Sequence, residues 1–413
     1  MGPVCERTGV TGRLQPHGTV CGTEKLGGHA SMNKYFDHAA SMEVSAKAWL
    51  DTLSSYGPGN PSSAHGAGEQ ARRIISDTRH RIAACLGCRA ERIYFTSGAT
   101  ESANLLIQGY LSTLRRKEST RSEIVVSAVE HPAVYQTVMS MKKQGYTIRE
   151  LPVNRHGVVT SAHVDAAVNE HTAMLCLMAV NNETGAIQPI NEVARAVKLA
   201  DPDILVVCDA VQHFAKLNWQ IDLDVVDALF MSGHKIGADK GVGCFYLNGR
   251  FKLTPLMYGG AQEQTYRPGT ENVFGIGLLG AALREATRAS ADKLAHVGAL
   301  GERLTNGLTQ ARIAFKRLVP AADASAYILA LAFPGVPSRQ MVADLAASGY
   351  CVSQGSACSS HSLEPSRVLS AMRVPPEHLN SLIRISFSPN HTMQDIDELA
   401  RHIVEICHAR SDA

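Results

Sequence analysis

The stretch DALFMSGHKIGADKGVGCFYL, residues 227–247, joins an apolar run to a turn with three glycines in the eight residues after Lys235. The run DALFMSG (227–233) is one of several of its kind. RIYFTSG (92–98), EIVVSAV (123–129), AMLCLMAVN (173–181) and ILVVCDA (204–210) precede it, separated by helical stretches such as the one that places Leu105, Leu106 and Tyr110 on one side. Strands that are apolar throughout, rather than alternating, predict a mostly parallel α/β sheet covered by helices on both faces. Farther on, Leu300, Leu304 and Leu308 are spaced by four in a helical stretch over about 288–320 that leads into a second domain. There AYILALAFPG and SLIRISFSP read as strands and IDELARHIVEICHA as a closing amphipathic helix.

Composition narrows the class. The 413 residues are 45% hydrophobic and 19% charged with a net charge of +2, enough for a large core and without the charge excess that attracts nucleic acid or membrane surfaces. The longest apolar run, AMLCLMAV at 173–180, is too short to span a bilayer. Ten cysteines without a disulfide rhythm point to a reducing, cytoplasmic setting. Cys176, Cys208 and Cys244 lie within strands and read as small buried hydrophobes. The lone CLGC at 85–88 lacks a second half, so no metal site is assigned to it. Residues 1–31 are polar and without periodicity, lack a secretory apolar core, and read as a disordered extension.

In open α/β sheets, ligands bind beyond the carboxyl ends of the strands. Those ends carry Thr96-Ser97-Gly98-Ala99-Thr100, Glu130-His131, Asn181-Asn182-Glu183, Asp209-Ala210-Val211-Gln212 and Ser232-Gly233-His234-Lys235. The small residues of TSGATES (96–102) before a helix suit a phosphate, although Ser97 or Thr100 as a plain helix cap explains them equally well. Asp209 at the end of an apolar strand needs a cation opposite it, or else serves as a turn residue. An aspartate for a pyridinium nitrogen, a lysine for a Schiff base and a phosphate cup together make a pyridoxal phosphate (PLP) site. His131 is placed to stack on a ring or shuttle protons, or simply to hydrogen-bond in a loop.

The segments FTSGATES, VEHPAV, NNETGAIQPI, CDAVQ, SGHKIGADKGVG, RPGTEN, GSACSS and IRISFS resemble those of the cysteine desulfurases, from about residue 33 to 405. These are class V aminotransferases of PLP fold-type I, and the likeness is to the type that serves iron–sulfur clusters and related sulfur transfer. The resemblance implies a large PLP-binding domain over 46–290. A smaller α+β domain, from 32–45 and 291–413, would carry a cysteine loop. Lys235 would hold the cofactor, His131 would stack on its ring, Asp209 would pair with the ring nitrogen and Gln212 would bond the ring oxygen. Ala99, Thr100, Ser232 and His234 would hold the phosphate, and Thr270 would reach the phosphate of a neighbouring subunit, implying a homodimer. Asn182, beside the cofactor, and Arg384 would clamp the carboxylate of L-cysteine. For Arg384 a structural ion pair is the alternative. Cys358, in the small polar run SQGSACSSHS, would take up the sulfur as a persulfide and pass it to an acceptor protein. Selenocysteine lyase shares this scaffold, and a catalytically silent scaffold protein is the reading from another class.

Overall fold

The computed structural model describes residues 34–218, 220–354 and 366–411. The strands are β1 (Ile93–Thr96), β2 (Glu123–Ser127), β3 (Thr147–Leu151), β4 (Thr172–Met178), β5 (Leu205–Asp209), β6 (Ala228–Ser232), β7 (Gly243–Leu247), β8 (Lys316–Arg317), β9 (Ile328–Ala332) and β10 (Leu382–Ser386). The first seven form one sheet in the order β1-β7-β6-β5-β4-β2-β3, and the last three form a second in the order β10-β9-β8. Pairing is parallel from β3 through β2, β4 and β5 to β6. Within this seven-stranded sheet β7 alone runs antiparallel to both neighbours, so β1 points the same way as β6.

The strand composition follows from this arrangement. Along β5, Val206 and Cys208 enter the core on one face of the sheet, while Leu205 and Val207 enter the core on the other. Alternate residues face opposite sides of a strand, so burial on both faces demands an unbroken apolar run. The parallel crossovers pass through helices such as Pro132–Ser140, Ser161–Ala167 and Ile190–Ala200. Helix Ser290–Gln310 buries Val297, Leu300, Leu304 and Leu308, as their spacing predicts. It ends earlier than the helical stretch to residue 320, because the chain turns there into β8.

Chain order reverses between β2 and β4: β2 is followed by β3 at the edge, and the chain then returns to build β4, β5 and β6 inward. A crevice opens at such a switch point, above the carboxyl ends of the strands. Two other pieces of chain reach the same place. β10 belongs to the three-stranded sheet; Asp37 bridges its last residue, Ser386, while Tyr35 bridges Cys351. Among the described residues, no helix is long and apolar enough to cross a membrane.

Candidate active site

A cavity of about 460 Å3 lies over the carboxyl ends of the parallel strands, within the ~300–1,000 Å3 usual for small-molecule sites. Ala99, Thr100, His131, Asn182, Asp209, Gln212, Ser232, His234, Lys235 and Arg384 all line it. Ten residues expected from separate segments thus share one wall. Thr270 does not join them: it is exposed in the loop before helix Val273–Thr287. Cys358 lies outside the described residues.

Lys235 sits in the single helical turn after β6, and its Nζ donates to the carbonyls of Ala39 at 2.8 Å and Ala40 at 2.7 Å. Asp209 is buried at the end of β5, and its Oδ1 accepts the Val211 N–H at 2.9 Å. Burial pushes its carboxyl up to about 6, against the pull of that hydrogen bond and of Lys235. A carboxylate held this way is short of a cation. His131 caps helix Pro132–Ser140, its Nδ1 accepting the Ala133 N–H at 3.1 Å. Burial first, and Lys235 second, push its imidazole down to about 4. The neutral ring therefore carries its proton on Nε2, and the cap fixes its plane. His234 is likewise pushed down to about 4, chiefly by burial.

The approach to helix Ala99–Arg116 is built for a bulky anion. Its N-cap is Gly98, at φ 154° and with no side-chain cap, so the first-turn N–H groups face outward unclaimed by any capping side chain. Gly98 also packs directly on β7: a Cβ on Gly243 would stand 2.6 Å from the Gly98 Cα and 2.7 Å from the Met231 carbonyl oxygen. Thr96 and Ser232 flank Gly243 at the same rung of the sheet. Glycine at both positions is what brings this loop down beside β6 and Lys235.

Arg384 enters from β10 and is only 1% exposed. Its guanidinium donates to the Asn182 carbonyl at 2.8 Å and to Asp37 Oδ1 at 2.6 Å, while its buried Nε has no partner among the described residues. Both readings of this residue therefore have a physical basis: it makes a structural ion pair, and it lines the cavity with donors to spare.

Several site groups were not singled out from sequence. Asp37 orients Arg384 from a segment about 350 residues away in the chain, which no local pattern reveals. Glu130 is fully buried, accepting Ser127 Oγ at 2.6 Å and the Met178 N–H at 2.7 Å, and burial pushes it up to about 7. Lys216 is buried behind Gln212, four residues on in the chain; that spacing was its only signal. The cysteines expected in the core are there: Cys176, Cys208 and Cys244 are buried, with thiols pushed up by burial.

Taken with the fold, these residues define a class. A model of the class-V aminotransferases matches residues 34–399, and the chain belongs to that family, whose members depend on PLP. Within it the chain is similar to cysteine desulfurase IscS of Methanosarcina thermophila, 34% identical over 375 residues, 90% of this chain and 91% of that protein. Cysteine desulfurase IscS of Dictyoglomus turgidum is 36% identical over 350 residues, 82% of this chain and 85% of that protein. A solved NifS-like protein superposes with a TM-score of 0.84 at 31% identity, covering 91% of this chain and 99% of its own.

The cavity residues fit the family cofactor. A buried carboxylate short of a cation suits a pyridinium nitrogen. The uncapped helix start beside Gly98 suits a phosphate, and Lys235 supplies the amine.

Proposed function

We propose that the protein is a PLP-dependent cysteine desulfurase that converts L-cysteine to L-alanine and transfers the sulfur to Cys358. The observation that carries this reading is the convergence of Lys235, Asp209, His131 and Arg384 on one cavity in a chain of this family. Pyridoxal phosphate, bound through Lys235, supplies the electron sink that makes the substrate Cα–H acidic and lets the adjacent carbon release sulfur. The protein residues do the rest. Arg384 and Asn182 would hold the substrate carboxylate, and the Lys235 amine would take the Cα proton. His131 would cover the ring face with a neutral imidazole, Asp209 would pair with the ring nitrogen, and Gln212 would bond the ring oxygen. Ala99 and Thr100 at the start of helix Ala99–Arg116, with Ser232 and His234, would anchor the phosphate.

The Cys358 thiolate then attacks the substrate sulfur. The carbon–sulfur bond breaks, a sulfur–sulfur bond forms, and the freed carbon gains a proton, leaving alanine and a Cys358 persulfide. The persulfide passes to an acceptor protein, in the service of iron–sulfur clusters or another sulfur product. A reducing cytoplasm is the setting in which such a thiol persists. We assign 46–290 to a cofactor-binding domain and 32–45 with 291–413 to a smaller one bearing the cysteine. We also infer a homodimer in which Thr270 reaches the partner's phosphate. Trp49, Leu50 and Leu53 on helix Ala46–Ser55 and Tyr56 just after it are exposed, and Trp49 and Tyr56 stack edgewise on Phe274, four residues beyond Thr270. An apolar patch of that kind is suited to a second copy.

Cys358→Ser tests the sulfur step. The variant should bind PLP and L-cysteine as the parent does, yet release no sulfide in the presence of a thiol reductant. Sulfide at the parental rate would assign the chemistry to another thiol or to direct elimination. Release from selenocysteine alone would indicate the lyase.

A further inference from the structure

The reaction above makes no use of Lys216, a lysine only 5% exposed on the connection between β5 and β6. Buried lysines are rare and are normally matched by a carboxylate. Here none is within ion-pairing distance among the described residues, and the charges acting on the amine, Lys235 and Arg384, share its sign. Burial, reinforced by those cations, pushes it down to about 7. What it has is one amide: Lys216 Nζ donates to Gln212 Oε1 at 2.8 Å. It also lies 5.9 Å from the centroid of the Tyr327 ring.

That contact settles which way the Gln212 side chain points. Its Nε2 donates to the Ala39 carbonyl at 2.9 Å. Turning the amide over would set an NH2 group against an ammonium and an oxygen against a carbonyl oxygen, losing both bonds. The fixed orientation leaves the second Nε2–H as the donor available on the cavity side. An acceptor oxygen on the cofactor ring fits there.

We propose that Lys216 is a positioning residue that locks the Gln212 amide with its N–H toward the cofactor ring oxygen. This rests on the PLP reading of the site. It also explains why a buried amine is retained: Lys216 stands behind Gln212, outside the cavity lining, and its one hydrogen bond is to the amide it orients. Nothing in the sulfur step requires Lys216 to touch substrate.

The test is a double-mutant cycle read on cofactor affinity, by equilibrium dialysis of PLP, and on the visible band of the bound cofactor. Lys216→Met keeps the aliphatic stem and removes the donor. It should weaken PLP binding about tenfold, the worth of one hydrogen bond to a charged group, and shift the band. Gln212→Ala should do the same, and the double variant should be no weaker than Gln212→Ala alone, because one effect runs through the other. Lys216→Arg, which retains a cationic donor, should recover most of the affinity. The cofactor-free Lys216→Met protein should melt no lower than the parent, since an unpaired buried charge has gone. Additive losses, or a Lys216→Met protein that binds PLP as tightly as the parent, would overturn the inference and leave the site reading intact. A parent chain that binds no PLP would instead overturn both.

Discussion

Two buried aspartates, one just before β6 and one at the end of β5, separate what holds the sheet together from what holds a ligand. Asp227 immediately precedes β6 and lies at the amino end of the parallel sheet, wholly buried. Its Oδ2 accepts Lys198 Nζ at 2.5 Å and the Val206 N–H at 2.9 Å, while Oδ1 accepts Arg250 at 2.9 Å. Asp209 closes β5 at the opposite end and is almost as buried, but its carboxylate has one backbone N–H and no ion pair among the described residues. A saturated carboxylate is structural. One left short of a cation, with its carboxyl raised to about 6, stands ready for a partner that the chain does not supply. Lys198 and Lys216 repeat the contrast with the sign reversed, the first paired with Asp227 and the second only with an amide.

Exchanging the roles of the two ends gives the largest effect. Asp227→Ala leaves Lys198 buried without its carboxylate and should lower the stability of the cofactor-free protein by ~3–5 kcal/mol in urea unfolding. Asp209→Asn should leave that stability equal or higher, yet bind PLP at least tenfold more weakly, since a lost charge pair at a desolvated site is worth ~2–5 kcal/mol. Equal destabilisation by the two substitutions would erase the distinction.

The next effect is in pH. A carboxyl raised from 3.8 to about 6 in the folded chain stabilises fully below the unfolded value, and that stability is lost as pH rises through the folded one. The loss for Asp209 is about 3 kcal/mol, at ~1.36 kcal/mol per unit. A pyridinium opposite Asp209 offsets the cost of burying its charge. The stabilisation conferred by PLP should therefore grow between about pH 4 and pH 6, as seen in melting curves with and without cofactor. Glu130, raised to about 7, adds a slope of the same sign to the cofactor-free chain. Asp209→Asn should abolish the cofactor-dependent part alone. A cofactor effect that is flat in pH for the parent would contradict the Asp209–pyridinium pairing.

Arg384 gives a smaller effect and sharpens the comparison, because it is both paired with Asp37 and turned to the cavity. Arg384→Lys keeps the charge opposite Asp37 but loses the planar fork. L-cysteine affinity should fall about tenfold, a change of ~1.4 kcal/mol, while cysteamine, which lacks the carboxylate, should bind unchanged. Equal losses for both ligands would make the arginine purely structural.

The sequence revealed these regions unequally, for physical reasons. The parallel strands were legible because burial on both faces forces continuous apolar runs, as in Leu205–Asp209. β3 was missed because its pattern is mostly exposed at the sheet edge. β7 was marked only through Cys244, and its antiparallel course was not legible because it is set by pairing rather than by composition. Site residues at strand ends were legible because a polar group there interrupts an apolar run. Lys216 and Asp37 were not: each matters only through a partner, and Asp37 meets Arg384 across the length of the chain. Thr270 was named through resemblance alone, and it is not among the residues that line the cavity.

The most direct test of the cofactor site is to reduce the PLP-loaded protein with borohydride, digest it and locate the modified lysine by mass spectrometry. Two amines lie close to the site, the half-buried Lys235 as part of the cavity lining and the buried Lys216 behind Gln212. The pyridoxyl label should appear on the peptide containing Lys235 and nowhere else. A label on Lys216, or none on Lys235, would contradict the account.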